Sequence, residues 1–104
     1  MSETTNVTLP ASFTFNQEII LIAMKGGTFL PGDIGEKINN SVYEIKTSTL
    51  YPILNRMEKS GFIYSETIDS KRLYSLTDQG LQLIETTEKV RKTINGKQNN
   101  NDQV

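Results

Sequence analysis

The chain has 104 residues, a formal net charge of −1 at pH 7, no cysteine and no histidine. This length allows one domain with a single modest core, and the lack of cysteine excludes a disulfide framework and thiolate metal ligands. No stretch approaches the ~20 apolar residues of a membrane span, and no basic, apolar leader opens the chain. We therefore expect a cytoplasmic protein without a membrane partner.

The ends of the chain are polar and lack periodicity. Residues 1–11 and 96–104 contain few apolar side chains and no pattern that a helix or strand would need. Segments of this composition cannot bury enough apolar surface to become ordered. We predict flexible tails at both ends and a folded unit between them.

The first predicted helix covers residues 13–25. Its apolar residues lie on more than one face, which is typical of a helix at the centre of a core. Thr14 or Asn16 can cap its start, and Gly26-Gly27 is a strong stop signal. The pattern predicts a buried central helix.

A second, shorter helix follows a brief extended segment at residues 28–30. Pro31 suits the first turn of a helix, and the apolar spacing predicts that this helix spans 31–39. Residues 42–45 then predict a link that pairs briefly with a later strand.

The third predicted helix spans residues 47–60 and is amphipathic. Pro52 removes one helical hydrogen bond, so we expect a local bend. The apolar stripe repeats at helical spacing and consists of Leu50, Ile53, Leu54 and Met57. The opposite, polar face consists of Thr47, Ser48, Thr49, Tyr51, Asn55, Arg56 and Lys59.

A basic hairpin comes directly after this helix. Residues 62–66 and 73–76 are rich in Ile, Tyr and Phe, which predicts two short strands joined by a loop longer than two residues. Lys71 and Arg72 lie in that loop. Residues 46–72 hold five basic and three acidic side chains, so the positive charge is concentrated on the helix and the hairpin.

The last predicted helix spans residues 78–95, with Thr77 as its cap and Asn95-Gly96 as its end. Its apolar stripe resembles a heptad pattern, and we expect it to pack against a second copy of the chain. The predicted dimer contacts are Leu83, Thr87, Val90 and Ile94.

Two motifs resemble the PadR family of winged-helix transcriptional regulators. Residues 49–63, T-L-Y-P-I-L-N-R-M-E-K-S-G-F-I, are similar to the family pattern TLYPxLxRLExxGLI, which includes the proline inside the helix. Residues 71–80, K-R-L-Y-S-L-T-D-Q-G, are similar to RKYYxLTxxG. The resemblance covers roughly residues 16–84. It departs from the family at 31–35, P-G-D-I-G, where the family usually reads HGYE, and in a wing without glycine.

The order of helix and basic hairpin, together with this resemblance, predicts a mainly α fold with a small β-hairpin, a winged helix-turn-helix. We divide the chain into a DNA-binding domain at 12–77 and a dimerisation helix at 78–95. In such folds one helix enters the major groove and the hairpin, or wing, contacts the neighbouring backbone. The predicted DNA-contact residues are Lys46, Thr47, Ser48, Thr49, Tyr51, Asn55, Arg56, Lys71 and Arg72.

Structural roles compete with these contact roles. The hydroxyls at the start of the third helix could be no more than a cap, and Asn55 and Arg56 could belong to a solvated helix face. Tyr51 could instead pack beneath the wing with Tyr74. We keep both interpretations open at this point.

We expect a homodimeric protein that binds double-stranded DNA sequence-specifically. We expect it to repress transcription, since so short a chain leaves no room for an activation domain. One alternative is a plasmid partition adaptor that uses the same DNA grip and recruits a second protein. Another is a winged-helix module for protein–protein contacts alone. Without histidine, cysteine, a phosphate-binding loop or paired carboxylates, we expect no enzyme, no metal and no cofactor.

Overall fold

A computed structural model describes residues 13–102, with side chains described through residue 94. The predicted tail at 1–11 lies outside the described residues. The elements in chain order are α1 Phe15–Ala23, β1 Thr28–Phe29, α2 Pro31–Asn39, α3 Thr47–Lys59, β2 Ile63–Ile68, β3 Lys71–Leu76 and α4 Asp78–Asp102. The strands form one antiparallel sheet in the order β1-β3-β2. The architecture is mainly α with a small sheet, as predicted.

The first helix is closed at both ends by its local sequence. Thr14 accepts a hydrogen bond from the Gln17 amide, and the Gln17 side chain accepts one from the Thr14 amide, which completes a capping box. Gly26 has a φ of 84°, the left-handed conformation that ends helices. Ile20 and Leu21 have no exposed surface, so α1 is the central helix of the core, as its pattern predicted.

The second and third helices pack their predicted stripes against α1. Ile34 and Ile38 of α2 are buried. The four stripe residues of α3 are buried too, and the helix continues through Pro52. All of these side chains belong to one apolar cluster, which fixes the opposite face of α3 toward solvent.

The hairpin differs from its prediction. Its strands are longer, and the turn contains only two residues, Asp69 and Ser70, with φ values of 53° and 67°. Positive φ at both positions matches the twist of paired strands, and Asp is among the residues that tolerate it. The sequence lacked the usual glycine, so the prediction of a longer loop was wrong.

The third strand of the sheet comes from β1 and not from residues 42–45. Thr28 and Phe29 pair with Ser75 and Tyr74, which anchors the base of the hairpin. Within 42–45, the amide of Tyr43 donates to the Ser41 hydroxyl at 3.0 Å and that of Ile45 to the Asn39 side chain at 2.8 Å. Residues 42–45 belong to no strand of the described sheet, so their predicted pairing was wrong.

The last helix is anchored to the domain by its first three turns. Thr77 caps it by accepting from the Gly80 amide at 3.0 Å and donates to the Gly61 carbonyl at 2.6 Å. Further along, Arg91 binds both carboxylate oxygens of Glu18 on α1, at 2.9 and 2.8 Å. Hydrogen bonding to Glu18 raises the pKa of Arg91.

This packing corrects half of the predicted dimer contacts. Leu83 is 0% exposed and Thr87 is 7% exposed within the single chain, because both face α1 and the core. Neither side chain has surface left for a second copy. Val90 and Ile94, at 44% and 60% exposure, remain available.

The helix also continues past its predicted end at Asn95-Gly96 and reaches Asp102. Asn and Gly each cost a helix only about 1 kcal/mol or less, and no proline follows them. The predicted flexible tail at 96–104 therefore overlaps this helix. Within the described residues, no helix is long and apolar enough to cross a bilayer.

Candidate nucleic-acid interface

The first turn of α3 is open. Its N-cap is Lys46, whose backbone is extended as a cap requires but whose side chain makes no capping hydrogen bond. The amides of Thr49 and Leu50 donate to the Lys46 carbonyl at 2.9 Å each. Among the described residues, the amides of Thr47 and Ser48 meet no acceptor. Two donors and the positive end of the helix dipole are therefore available to an outside anion.

Three hydroxyls surround these donors. Thr47 and Ser48 are exposed and Thr49 is half-buried. Within the part of the chain that the structure describes, none of the three side chains makes a hydrogen bond. They stand inside the helix, past the cap position, so they do not cap it. Hydroxyls, free amides and the Lys46 ammonium together suit a phosphate.

The outer face of α3 presents Tyr51, Asn55 and Arg56 to solvent, because the buried stripe lies on the other side. Arg56 forms no ion pair with any described side chain. Asn and Arg are the side chains that pair with adenine and guanine edges in a major groove. Tyr74 is buried and serves as the structural aromatic residue, whereas Tyr51 remains exposed.

The two basic residues of the wing behave differently. Lys71 directly follows the tight turn, is exposed, and has no ion-pair partner among the described residues. Arg72 points back toward α3, where it forms a salt bridge with Glu58 at 3.0 Å. Among the described residues, the wing therefore carries one cation without an ion-pair partner and one that is paired with Glu58.

An open hollow of about 470 Å³ lies between the outer face of α3 and the wing. Burial raises the pKa of the Tyr74 phenol, which lines this hollow. The hollow is lined by Tyr51, Pro52, Asn55, Arg72 and Tyr74. The structure thus places three of the predicted contact residues around one concave surface.

The remaining predicted contacts lie on α3, at its cap or next to the wing turn. Sequence reasoning missed Glu58 and Ser65, which hold Arg72 in place. No local signal could have revealed them, because Glu58 and Arg72 are 14 residues apart and meet only through the hairpin. Across residues 13–94, whose side chains the structure describes, no group of three or more acidic or other ligating side chains could hold a metal ion.

Comparison with known proteins gives a family and a fold. The sequence profile of the transcriptional regulator PadR-like family matches residues 32–86. No curated protein sequence matches the chain.

Many solved structures are similar. A PadR family transcription regulator from Clostridium difficile R20291 has a TM-score of 0.75 at 19% identity, covering 84% of this chain and 97% of that one. A transcriptional regulator from Clostridium thermocellum has a TM-score of 0.65 at 26% identity, covering 78% and 89%. Bacillus subtilis PadR in complex with operator DNA has a TM-score of 0.64 at 26% identity, covering 68% of this chain and 45% of that one. These matches confirm the winged-helix fold.

Proposed function

Because the chain belongs to the transcriptional regulator PadR-like family, whose profile matches more than half of its length, we propose that it represses transcription by binding operator DNA as a homodimer. The family consists of transcriptional regulators, so the protein is a regulator and not an enzyme. The open first turn of α3 is the observation that carries the DNA-binding proposal, and Lys71 on the wing, which has no ion-pair partner among the described residues, adds to it.

In the proposed complex, α3 lies in a major groove. The amides of Thr47 and Ser48 and the Lys46 ammonium bind phosphates at the groove edge. Asn55 and Arg56, about two turns further in, contact base edges. Lys71 binds the backbone beside the wing. The similar Bacillus subtilis PadR was solved in complex with operator DNA, which supports DNA binding by this fold.

The charge of the chain favours a dimer. A net charge of −1 gives one subunit only weak attraction to DNA. Val90 and Ile94 lie one turn apart on α4 and expose apolar surface that a second copy would cover. Two subunits related by a two-fold axis would then read half-sites about 34 Å apart. Occupying such a site at a promoter blocks transcription.

Fluorescence anisotropy with the upstream DNA of the protein's own gene, compared with a scrambled duplex, tests DNA binding. We expect tighter binding to the upstream DNA and a steep loss of affinity with salt. Arg56→Ala should weaken binding about tenfold or more, the value of one good base contact. Lys92→Ala, which removes a cation on the far side of α4, should leave affinity unchanged.

The DNA footprint separates repression from its alternatives. Protection of one pseudo-palindromic site would support a repressor, whereas protection that extends along tandem repeats would favour a partition adaptor. Lack of binding to either duplex at 50 mM salt, where phosphate contacts are strongest according to counterion release, would refute the proposal and favour a protein–protein module.

Analytical ultracentrifugation tests the dimer. Val90→Asp together with Ile94→Asp should convert the protein to a monomer, because two charges would have to be buried in the contact. Lys92→Asp places a similar charge on the other side of the same helix and should leave the dimer intact. A wild-type protein that is monomeric both free and on DNA would contradict the dimer.

A further inference from the structure

A closed polar network joins the wing to α3. Arg72 donates from Nε to the Ser65 hydroxyl and from Nη2 to Glu58 Oε1, both at 3.0 Å. The Ser65 hydroxyl donates to Glu58 Oε2 at 2.7 Å. The guanidinium carbon also lies 5.5 Å from the centre of the Tyr74 ring. Both carboxylate oxygens of Glu58 and two donor atoms of Arg72 are therefore occupied within the protein.

The three members of this network come from three different elements. Glu58 lies in the last turn of α3, Ser65 in β2 and Arg72 in β3. Ser65 and Arg72 are diagonal neighbours in the hairpin, since Ser65 pairs with Tyr74 and Arg72 pairs with Thr67. The network thus links both wing strands to the helix between the base of the hairpin and its turn.

Arg72 is poorly placed to give its charge to DNA. To reach a phosphate, the guanidinium would have to leave Glu58, and the freed carboxylate would then lie near another negative charge. A charge-assisted hydrogen bond of this geometry is also stronger than a neutral one. Lys71, the preceding residue, has none of these ties among the described side chains.

We propose that Arg72, Glu58 and Ser65 are positioning residues that set the angle between the wing and α3, and that Arg72 does not itself bind a phosphate. This inference rests on the proposed DNA binding. In the proposed complex, α3 and the wing touch the same duplex. If the angle between them is already fixed in the free protein, DNA binding does not have to pay the entropy of ordering the wing. Lys71 is then the cation that the fixed wing presents.

Substitutions at Arg72 distinguish positioning from phosphate contact. Arg72→Lys keeps the charge but loses the planar fork that bonds Ser65 and Glu58 together. We expect about fivefold weaker DNA binding, with an unchanged slope of log affinity against log salt. Lys71→Ala should instead lower that slope by about 1.8, because a homodimer loses one phosphate contact, worth about 0.9, in each subunit. Wild-type affinity in Arg72→Lys, or a slope reduction in Arg72→Ala equal to that of Lys71→Ala, would overturn the proposal.

A neutral substitution gives a second test without changing any charge. Ser65→Ala removes the hydroxyl that bridges Glu58 and Arg72, and we expect two- to fivefold weaker binding, as for the loss of about one hydrogen bond. Thr67→Ala removes a hydroxyl from the same strand that lies outside the network and should have a smaller effect. Equal effects of the two substitutions would count against the network.

Reversing the pair provides a rescue experiment. In Glu58→Arg with Arg72→Glu the attraction is restored with opposite sign, so the double variant should bind DNA more tightly than the two single effects predict. If Arg72 instead contacted a phosphate, a glutamate there would repel DNA whatever residue stood at position 58. Strict additivity of the two single effects would therefore refute the coupling.

Hydrogen exchange of the free protein separates this inference from the proposed function. The amides of Ile63–Ile68 should exchange faster in Ser65→Ala and Arg72→Lys than in the wild type. If the wild type fails to bind DNA while these amides exchange faster in the variants, the proposed function is refuted and the wing-fixing role stands. If exchange is unchanged in both variants, the positioning role is refuted even where DNA binding is confirmed.

Discussion

Helices α1 and α3 begin in opposite ways. At the start of α1, Thr14 and Gln17 bond each other's amides in a complete capping box. At the start of α3, the cap position holds Lys46, and the hydroxyls of Thr47 and Ser48 stand just inside the helix, where they leave the first amides free. Hydroxyl residues thus close the start of α1, whereas at the proposed DNA-contact helix α3 they stand one or two positions further in and leave its start open among the described residues.

The largest expected effect concerns the other closed helix start, that of α4. A Cβ on Gly80 would collide with the carbonyl oxygen of Phe62, which is backbone and cannot move aside cheaply. We expect Gly80→Ala to lower the free energy of unfolding by about 3 kcal/mol, measured by urea denaturation.

Gly32→Ala is the matched control for Gly80→Ala. A Cβ on Gly32 would meet no atom within 4 Å, and alanine favours the helix, so stability should rise by about 0.5 kcal/mol. Equal stability of the two variants would show that the start of α4 is looser than its contacts indicate.

The capping box of α1 gives the next largest effect. Thr14→Ala removes the acceptor for the Gln17 amide and should lower the free energy of unfolding by about 1 kcal/mol. The affinity of the folded protein for DNA should not change, because Thr14 lies on a different helix from the interface. If Thr14→Ala also weakened DNA binding about fivefold, as a change of about 1 kcal/mol would, the capped start of α1 would take part in DNA binding and the contrast with α3 would be wrong.

Lys46→Ser would close α3 artificially. The backbone at position 46 already has cap geometry, with φ −84° and ψ 151°. A serine there should cap the helix and raise the free energy of unfolding by about 0.5 kcal/mol. It should also weaken DNA binding severalfold, because one cation is removed and one free amide becomes occupied. Calorimetry together with anisotropy measures both changes. Tighter DNA binding by this more stable variant would contradict an open α3.

The smallest effect on stability is expected for Thr47→Ala with Ser48→Ala. Neither hydroxyl has a partner among the described residues, so the free energy of unfolding should change by less than about 0.5 kcal/mol. DNA affinity should nevertheless fall, since both hydroxyls would lose phosphate contacts. A stability loss as large as that of Thr14→Ala would mean that these residues do cap α3.

Patterns within single elements predicted most of the fold. The stripe of α3 and the stops of α1 depend on neighbouring residues, and both were confirmed. The turn was predicted wrongly because Asp69-Ser70 adopts positive φ without the glycine that usually signals it.

Features that depend on which surfaces meet could not be predicted. The stripe of α4 was assigned wholly to a partner because the sequence does not reveal that α1 leaves a face for Leu83 and Thr87 to cover. The pairing of Arg72 with Glu58 was hidden for the same reason, since it joins residues distant in the chain. Which residues contact DNA stays a prediction.

The continuity of α4 has a consequence for its exposed end. Each residue of a helix adds about 1.5 Å and a rotation of about 100°. The direction of Val90 and Ile94 is thereby tied to that of the buried Leu83 and Thr87. One residue inserted between Thr87 and Val90 would swing the exposed pair by about 100°, whereas seven would nearly restore its direction and move it about 10 Å outward. Insertions in this helix therefore act as rotations, and their length decides which way the apolar pair faces.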